Sequence, residues 1–206
     1  IVCISEKLRE MCGDHGYVDN VWSRPNPIDE SRFFPEPDKK GEYRSRHTGF
    51  SQSDVVLCYI GKFMPSKNQL FLLDVMRQLP ESYKLLMGGP VVTAGPLVQR
   101  DQSYFHRILA AIDKYDLRHR VKIVSEFIDR PEEYIKSSDV FVFPSTSEGL
   151  GTPILEAIAC GVPVVANRIR GITDQWIEDG ESGFVADSDS AEFAEKIVAA
   201  GKIPGA

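Results

Sequence analysis

An excess of basic residues, which a protein that binds nucleic acid usually needs, is missing from this 206-residue sequence. Lysine and arginine number 24 against 30 aspartates and glutamates, so the formal net charge is -6 at pH 7. Proteins that grip a phosphate backbone carry a basic patch or stripe, so nucleic acid is not expected as the main partner. A small anionic ligand is compatible with this charge, because it needs only a local pair of basic groups.

Residues that commonly hold metal ions or form disulfides are few. The four cysteines, Cys3, Cys12, Cys58 and Cys160, form no CxxC pair, and the four histidines do not cluster with them. A zinc site is therefore not expected, and no metal cofactor is predicted. Cysteines without a disulfide-like spacing are typical of a reducing compartment, so we expect a cytoplasmic protein.

Long hydrophobic runs are also absent. Runs such as VFVF and VPVVA are far too short to span a bilayer, and no signal-peptide pattern opens the sequence. The content of 42% hydrophobic and 26% charged residues is that of an ordinary globular protein. Because the sequence begins at Ile1 rather than at methionine, we expect it to be part of a longer protein.

The residues that are present divide the chain in two. Residues 1–23 predict a short strand and a polar helix, and residues 24–54 are rich in Pro, Gly, Ser and charge without a sustained period. We interpret residues 1–54 as the end of a preceding domain and a connecting arm. From Val55, short apolar segments alternate with helical ones through residue 206. This alternation predicts a Rossmann-like, doubly wound α/β domain with a parallel sheet.

Ligands of such domains bind beyond the carboxyl ends of the strands. Four short stretches are expected at that edge, around Gly61, Gly88, Ser145 and Arg168. The sequence also contains signals for helix ends. Ser66 and Gln69 fit a capping box, and a later helix is expected to have Thr152 as its N-cap, Pro153 at its first position and Gly161 just beyond its end.

The segment SEGLGTPILEAIACGVPVVAN carries two carboxylates eight positions apart, Glu148 and Glu156. Between them, Gly149 and Gly151 allow the backbone to approach a ligand closely, and a helix then begins. Glu156 is expected to point about 130° away from the apolar stripe of that helix. From spacing alone, both could equally be structural, because a glutamate in a first helical turn gains about 0.3–1 kcal/mol from the helix dipole. The predicted stripe consists of Ile154, Leu155, Ile158 and Ala159.

Two lysines favour a ligand. Lys62 lies in another strand-to-helix loop, and Lys67 lies at the start of a helix, where a cation is electrostatically unfavourable unless an anion is bound. Either lysine alone would be explained as a solvated surface residue. Together they suit phosphates, whereas the carboxylates accept hydrogen bonds from hydroxyls. A ligand that satisfies both groups is a nucleoside diphosphate sugar.

These segments resemble a known family. EGLGTPILE followed by AIACGVPVVA resembles the E-x7-E segment of the family 4 retaining glycosyltransferases, which have the GT-B architecture of two Rossmann-like domains. The segments RPNPIDESRFFP, IGKFMPSKN, MGGP, VKIVSEF and SSDVFVFPSTSEG resemble other parts of that family in the expected order. The resemblance covers nearly the whole chain and implies that it is the C-terminal, donor-binding domain.

The resemblance also implies roles for individual residues. Glu148 would contact the transferred sugar and Glu156 the ribose hydroxyls. Lys62 and Lys67 would hold the diphosphate. The backbone of the turn at Gly149, Leu150 and Gly151 would assist the lysines, and Phe127 would frame the base.

The resemblance further implies a donor of the UDP or GDP type, used as a substrate without a metal. The acceptor, a carbohydrate or a lipid-linked molecule, would bind mainly to the other domain. That domain could also hold the protein at a membrane periphery. The chain alone is therefore expected to be inactive.

Three positions depart from the family pattern. Lys62 stands where arginine is more usual, Ser125 where glycine is common, and Gln175 where many members have glutamate. Two other functions stay open, a non-catalytic nucleotide-sugar binding module and a nucleotide-sugar epimerase of the same fold. A glycoside hydrolase that uses the two glutamates as acid and base is disfavoured, because it has no need of the lysines.

Overall fold

A computed structural model describes residues 1–203 of the chain. The strands are β1 (Val2–Cys3), β2 (Trp22–Ser23), β3 (Val55–Ile60), β4 (Tyr83–Gly88), β5 (Val121–Val124), β6 (Val140–Phe143), β7 (Val164–Asn167) and β8 (Gly183–Ala186). The α-helices are α1 (Glu6–Asp14), α2 (Lys40–His47), α3 (Gln69–Met76), α4 (Val98–Lys114), α5 (Pro131–Lys136), α6 (Thr152–Ala159), α7 (Thr173–Trp176) and α8 (Ser190–Ala200). The last residues of the predicted 55–206 domain lie outside the described residues.

Strands β3 to β8 form one parallel sheet in the order β5-β4-β3-β6-β7-β8. Along the chain, β4 and β5 are added to the sheet on one side of β3, and β6, β7 and β8 are then added on its other side. This is the strand order of the Rossmann fold, so the predicted doubly wound sheet is confirmed. The order reverses between β3 and β6, and the crevice at that reversal is where such sheets bind ligands.

Both faces of the sheet are buried, and successive side chains of a strand point to opposite faces. Leu57 and Tyr59 of β3 pack under α3, α4 and α8, while Cys58 packs under α5 and α6. All three residues are at most 1% exposed. The strands can therefore be apolar throughout, as parallel sheets covered by helices require.

The segment before β3 is more ordered than the sequence predicted. Strands β1 and β2 pair in parallel as a small separate sheet, and α2 lies where no regular structure was expected. Helix α2 is polar and lacks an apolar stripe, so periodicity could not reveal it. Contacts with the domain hold it instead, because the buried Arg44 side chain donates hydrogen bonds to the carbonyls of Ser137, Gln52 and Asp54 and pairs with Asp139 at 2.8 Å.

The capping box expected at the start of α3 is wrong. The helix follows a 3-10 turn at Pro65–Lys67 and begins at Gln69 after Asn68, which adopts a left-handed conformation and makes no side-chain cap. The Gln69 amide is drawn inward, where it donates to the Lys62 carbonyl at 2.7 Å and to the Tyr59 hydroxyl at 3.2 Å. A buried hydrogen bond therefore replaces the predicted cap.

Two expectations for α6 are also corrected. Gly151, with φ at +79°, occupies the N-cap position, so Thr152 is the first helical residue instead of the cap. Ile154 and Ala157 are the fully buried residues of the helix, whereas Leu155, Ile158 and Ala159 are only partly buried. The fully buried side of the helix therefore differs from the predicted stripe. Within residues 1–203, no helix is both long and apolar enough to cross a bilayer.

Candidate functional site

The predicted loops after β3 and β6 meet at the point where the strand order reverses. Because β3 and β6 are adjacent parallel strands, their carboxyl ends lie at the same edge of the sheet. The Thr146 backbone N–H donates to the Ser66 carbonyl at 2.9 Å, and the Thr146 hydroxyl donates to the same oxygen at 3.3 Å. These bonds tie the two loops together directly above the crevice.

An ion pair crosses the same junction. Lys67 Nζ lies 2.5 Å from Glu148 Oε1, and the two side chains are only 22% and 11% exposed. Lys67 Nζ also lies 5.9 Å from the centre of the Phe143 ring. The family resemblance implied separate roles for these residues, binding of the diphosphate for Lys67 and of the sugar for Glu148, and did not predict that they touch.

Lys62 differs from Lys67, because its side chain is exposed. Its loop is nevertheless fixed from below, since the Gly61 N–H donates to the Gly88 carbonyl at 2.8 Å. A Cβ atom at Gly89, whose φ is +143°, would lie 2.2 Å from the Gly61 carbonyl oxygen. Only glycine fits at that position, so the GG pair that ends β4 allows the two loops to pack closely.

The turn before α6 presents backbone groups to the crevice. Leu150 is buried, and its carbonyl accepts a hydrogen bond from Trp176 Nε1 at 3.0 Å. Gly151 provides no side-chain cap, Pro153 has no N–H, and the Ile154 N–H donates to the Gly151 carbonyl at 2.9 Å, which leaves the Thr152 N–H at the start of α6 without an intrahelical partner. Such groups attract anions, as the sequence predicted for this turn.

Glu156 is partly buried in the middle of α6, so it faces away from the fully buried stripe as expected. Burial raises the pKa of its carboxyl group, the positive charge of Arg32 lowers it, and the negative charge of Glu132 raises it further. Arg32 itself is anchored, since its Nη2 donates to the Asp129 carbonyl and to Glu132 Oε2, both at 2.7 Å. Sequence reasoning missed Arg32, although it lies within the RPNPIDESRFFP segment.

Phe127 is not brought into this group of residues. It is 78% exposed in the loop that follows β5, and β5 is separated from β3 by β4. Its neighbour Ile128 lies closer to the crevice, because a Cβ atom at Gly88 would lie 2.4 Å from Ile128 Cδ1. The predicted contact with a base therefore has no support from packing around Phe127.

Three buried polar atoms near the crevice have no hydrogen-bond partner among the described residues. They are Gln69 Oε1, Ser145 Oγ and Asn167 Oδ1. Ser145 follows β6, and Asn167 ends β7, where its Nδ2 donates to the Pro144 carbonyl at 2.6 Å. Buried polar atoms usually have hydrogen-bond partners, so these three atoms are available to bond a ligand at this edge of the sheet. Across residues 1–203, no group of three or more His, Cys, Asp or Glu side chains is arranged to hold a metal ion.

Comparison with known proteins identifies the family. The family model described as "Glycosyl transferases group 1" matches residues 42–202, which is most of the chain. The chain belongs to this family. The match confirms the resemblance drawn from the E-x7-E segment, and it includes residues 42–47 of α2, a helix that the sequence analysis had placed in a connecting arm.

Several relatives of this group 1 glycosyltransferase chain are known by name. D-inositol 3-phosphate glycosyltransferase 2 of Catenulispora acidiphila is 32% identical over 199 residues, which cover 94% of this chain and 44% of that protein. The UDP-Gal:alpha-D-GlcNAc-diphosphoundecaprenol alpha-1,3-galactosyltransferase of Escherichia coli is 27% identical over 173 residues, which cover 83% of this chain and 43% of that protein. The chain therefore spans less than half the length of these curated relatives.

Solved structures confirm the fold of this group 1 glycosyltransferase chain. The crystal structure of HepE from Anabaena, in complex with UDP and glucose, superposes with a TM-score of 0.84 at 22% identity. The superposition covers 96% of this chain and 52% of HepE. WaaG, a glycosyltransferase involved in lipopolysaccharide biosynthesis, gives a TM-score of 0.79 at 19% identity. The predicted GT-B domain architecture agrees with both.

Proposed function

We propose that this chain is the donor-binding domain of a retaining glycosyltransferase that uses a nucleoside diphosphate sugar. The observation that carries the proposal is the meeting of Lys67 and Glu148 at the reversal point of the sheet. A cation for phosphate and a carboxylate for hydroxyls are adjacent where the fold places its ligand. Family membership supports the same activity.

The diphosphate is the first part of the donor to be accommodated. Lys67 and the exposed Lys62 supply positive charge from the β3–α3 loop. The Thr152 N–H at the start of α6, together with the backbone of the Gly149–Gly151 turn, supplies hydrogen bonds from the other side of the crevice. As the bond to the sugar breaks, negative charge grows on the leaving diphosphate. These groups then stabilise the transition state more than the ground state.

The two glutamates act at the two ends of the donor. Glu156 accepts hydrogen bonds from the ribose hydroxyls, and Arg32 favours the ionised carboxylate that this role requires. Glu148 accepts hydrogen bonds from the sugar and orients it without attacking the anomeric carbon. The HepE complexes with UDP and UDP-glucose support a donor of this chemical class, although they do not identify the base or the sugar.

Titration calorimetry of residues 1–206 with UDP, GDP and ADP tests the proposal. We expect heat of binding with at least one diphosphate and weaker binding as salt is added, because point charges carry part of the affinity. Lys67→Gln should weaken the binding, whereas Lys202→Gln, which removes a distant exposed lysine, should not. Folded protein that binds none of the three diphosphates would contradict the proposed site.

Retention of configuration needs the full-length protein. We expect NMR of the transfer product, obtained with a panel of donors and an acceptor, to show the same anomeric configuration as the donor. Intact-mass analysis during turnover should show no adduct on Glu148. An inverted product or a trapped glycosyl adduct would contradict the mechanism. Donor binding without any turnover would instead favour the non-catalytic module, and epimerised donor would favour the epimerase.

A further inference from the structure

Glu148 binds the side-chain ammonium group of Lys67, which the proposed function assigns to the diphosphate. The two charged atoms are 2.5 Å apart, and both side chains are largely buried. The hydrogen bonds from the Thr146 N–H and hydroxyl to the Ser66 carbonyl fix the loops that carry them. Lys67 therefore cannot exchange Glu148 for another anion by loop movement alone; its side chain has to leave a formed ion pair.

The negative charge of Glu148 also acts on Tyr59, which lies beneath the crevice. Burial raises the pKa of the Tyr59 hydroxyl well above its ordinary value, and the negative charge of Glu148 adds to that increase. Tyr59 lies on β3 and accepts a hydrogen bond from Gln69. The Glu148 carboxylate therefore lies close to Tyr59 as well as to Lys67.

We propose that Glu148 competes with the diphosphate for Lys67 and thereby makes the site discriminate against the free nucleoside diphosphate in favour of the nucleotide sugar. The inference rests on the proposed function, since it concerns the same donor site. It assigns Glu148 a role in product release, in addition to the contact with the sugar.

The chemistry of the two ligands provides the discrimination. A nucleotide sugar that takes Lys67 from Glu148 brings hydroxyl groups, which donate new hydrogen bonds to the released carboxylate. A free nucleoside diphosphate brings none, and its terminal phosphate has one more ionisable oxygen because no sugar is esterified to it. Its binding therefore leaves Glu148 without a partner beside a more negative ligand, and an unpaired, largely buried charge is costly.

Glu148→Gln tests the inference by calorimetry with UDP, GDP and ADP and with UDP-glucose, GDP-mannose and ADP-glucose. The analysis uses the nucleotide that the wild-type chain binds most tightly. Glutamine keeps the shape but removes the charge, so the free diphosphate should bind about 3- to 30-fold more tightly, the range expected for losing one partly screened charge interaction. The matching nucleotide sugar should bind no more tightly than to the wild type.

Three control variants separate the charge from other effects. Glu148→Asp keeps the charge on a shorter side chain, so its gain in diphosphate affinity should be smaller than that of Glu148→Gln. Glu195→Gln makes the same change in net charge on the exposed surface of α8 and should change nothing. In a Lys67→Gln background, Glu148→Gln should give little or no gain, because the competition requires Lys67. Far-UV circular dichroism verifies that each variant is folded.

The outcomes distinguish the two proposals. Wild-type protein that binds no diphosphate contradicts the donor site itself. Wild-type protein that binds a diphosphate, with no gain in Glu148→Gln, overturns only the competition. An equal gain with and without Lys67 also overturns it, because Glu148 would then act by repulsion and not through the lysine.

Discussion

At the scale of single residues, the two glutamates of the E-x7-E segment lie in different electrostatic surroundings. Glu148 is paired with a lysine, whereas Glu156 lies partly buried between Arg32 and Glu132, and its pKa is raised mainly by burial. A carboxylate with a raised pKa loses its charge at a higher pH than an ordinary glutamate. The ionised form of Glu156, which the proposed ribose contact requires, is therefore lost in milder acid than that of an ordinary glutamate.

Glu156→Gln should weaken binding of the free nucleoside diphosphate by about 1.5–3 kcal/mol, the usual value of a hydrogen bond to a charged group. The wild-type affinity should also fall as the pH is lowered toward the raised pKa, above the ordinary value of 4.5. Calorimetry at several pH values on both proteins measures this effect. Because the ligand titrates in the same way with both proteins, subtracting one pH profile from the other removes the contribution of the ligand. Identical pH profiles would show that Glu156 does not contact the nucleotide.

Sequence reasoning proposed Lys67 and Glu148 as site residues because glycines, a helix start and misplaced charges are local features. It could not predict that the two residues touch. Their contact depends on β3 lying beside β6, and that adjacency is a property of the strand order. Arg32 was missed for the same reason, because its partners Asp129 and Glu132 are about a hundred residues away along the chain.

At the scale of elements, ion pairs fasten the segment around α2 to the domain. Glu36 pairs with Lys136, Arg46 and His47 contact Glu133, and Arg44 pairs with Asp139. These contacts explain why a polar helix without an apolar stripe is ordered. The predicted sheet and most helices were confirmed because burial produces a visible pattern, whereas attachment by charges leaves none.

Arg44→Met should destabilise the protein by about 3–5 kcal/mol, because it leaves three carbonyls without a donor, at about 1–3 kcal/mol for each buried group, although Asp139 keeps Lys40 as a partner at 2.6 Å. Arg46→Met is the matched control. Its side chain is 48% exposed, so its loss should cost about 1 kcal/mol or less. Urea denaturation of both variants measures the difference. Equal losses would show that α2 is not held by the buried guanidinium.

The stability of this attachment should depend on acid pH. Hydrogen bonds from Lys136 and Lys39 lower the pKa of Glu36 from 4.5 to about 2. A lowered folded-state pKa contributes stability above the unfolded value of 4.5, and this contribution disappears as the pH falls toward about 2. Denaturation of the wild type and Glu36→Gln across this range should show the two curves converging at low pH. A constant difference between the curves would contradict the ionic role of Glu36.

At the scale of the whole molecule, the chain spans less than half the length of the relatives that it matches. The donor half of a transferase can hold its substrate without transferring it. Transfer also needs an acceptor hydroxyl placed against the anomeric carbon, and such positioning accounts for roughly 7–11 kcal/mol of the barrier in favourable cases.

Residues 1–206 should therefore bind a nucleotide sugar without transferring it to an acceptor, whereas the full-length protein should do both. Donor consumption and product formation, followed by NMR with both proteins at equal concentration, measure this difference. Efficient transfer by residues 1–206 alone would show that this half also contains the acceptor site.

The strand order also determines when the sheet is completed during synthesis. Strand β3 can pair with β4, and β4 with β5, as soon as they emerge, but the other neighbour of β3, β6, follows about 80 residues later. At about 5–20 residues per second, the free edge of β3 stays open for roughly 4–16 seconds. An open apolar edge invites pairing with other chains. A nascent chain stalled between β5 and β6 is thus the form of this protein most prone to aggregate, and the strand that closes this edge is the one that leads into the Glu148 loop.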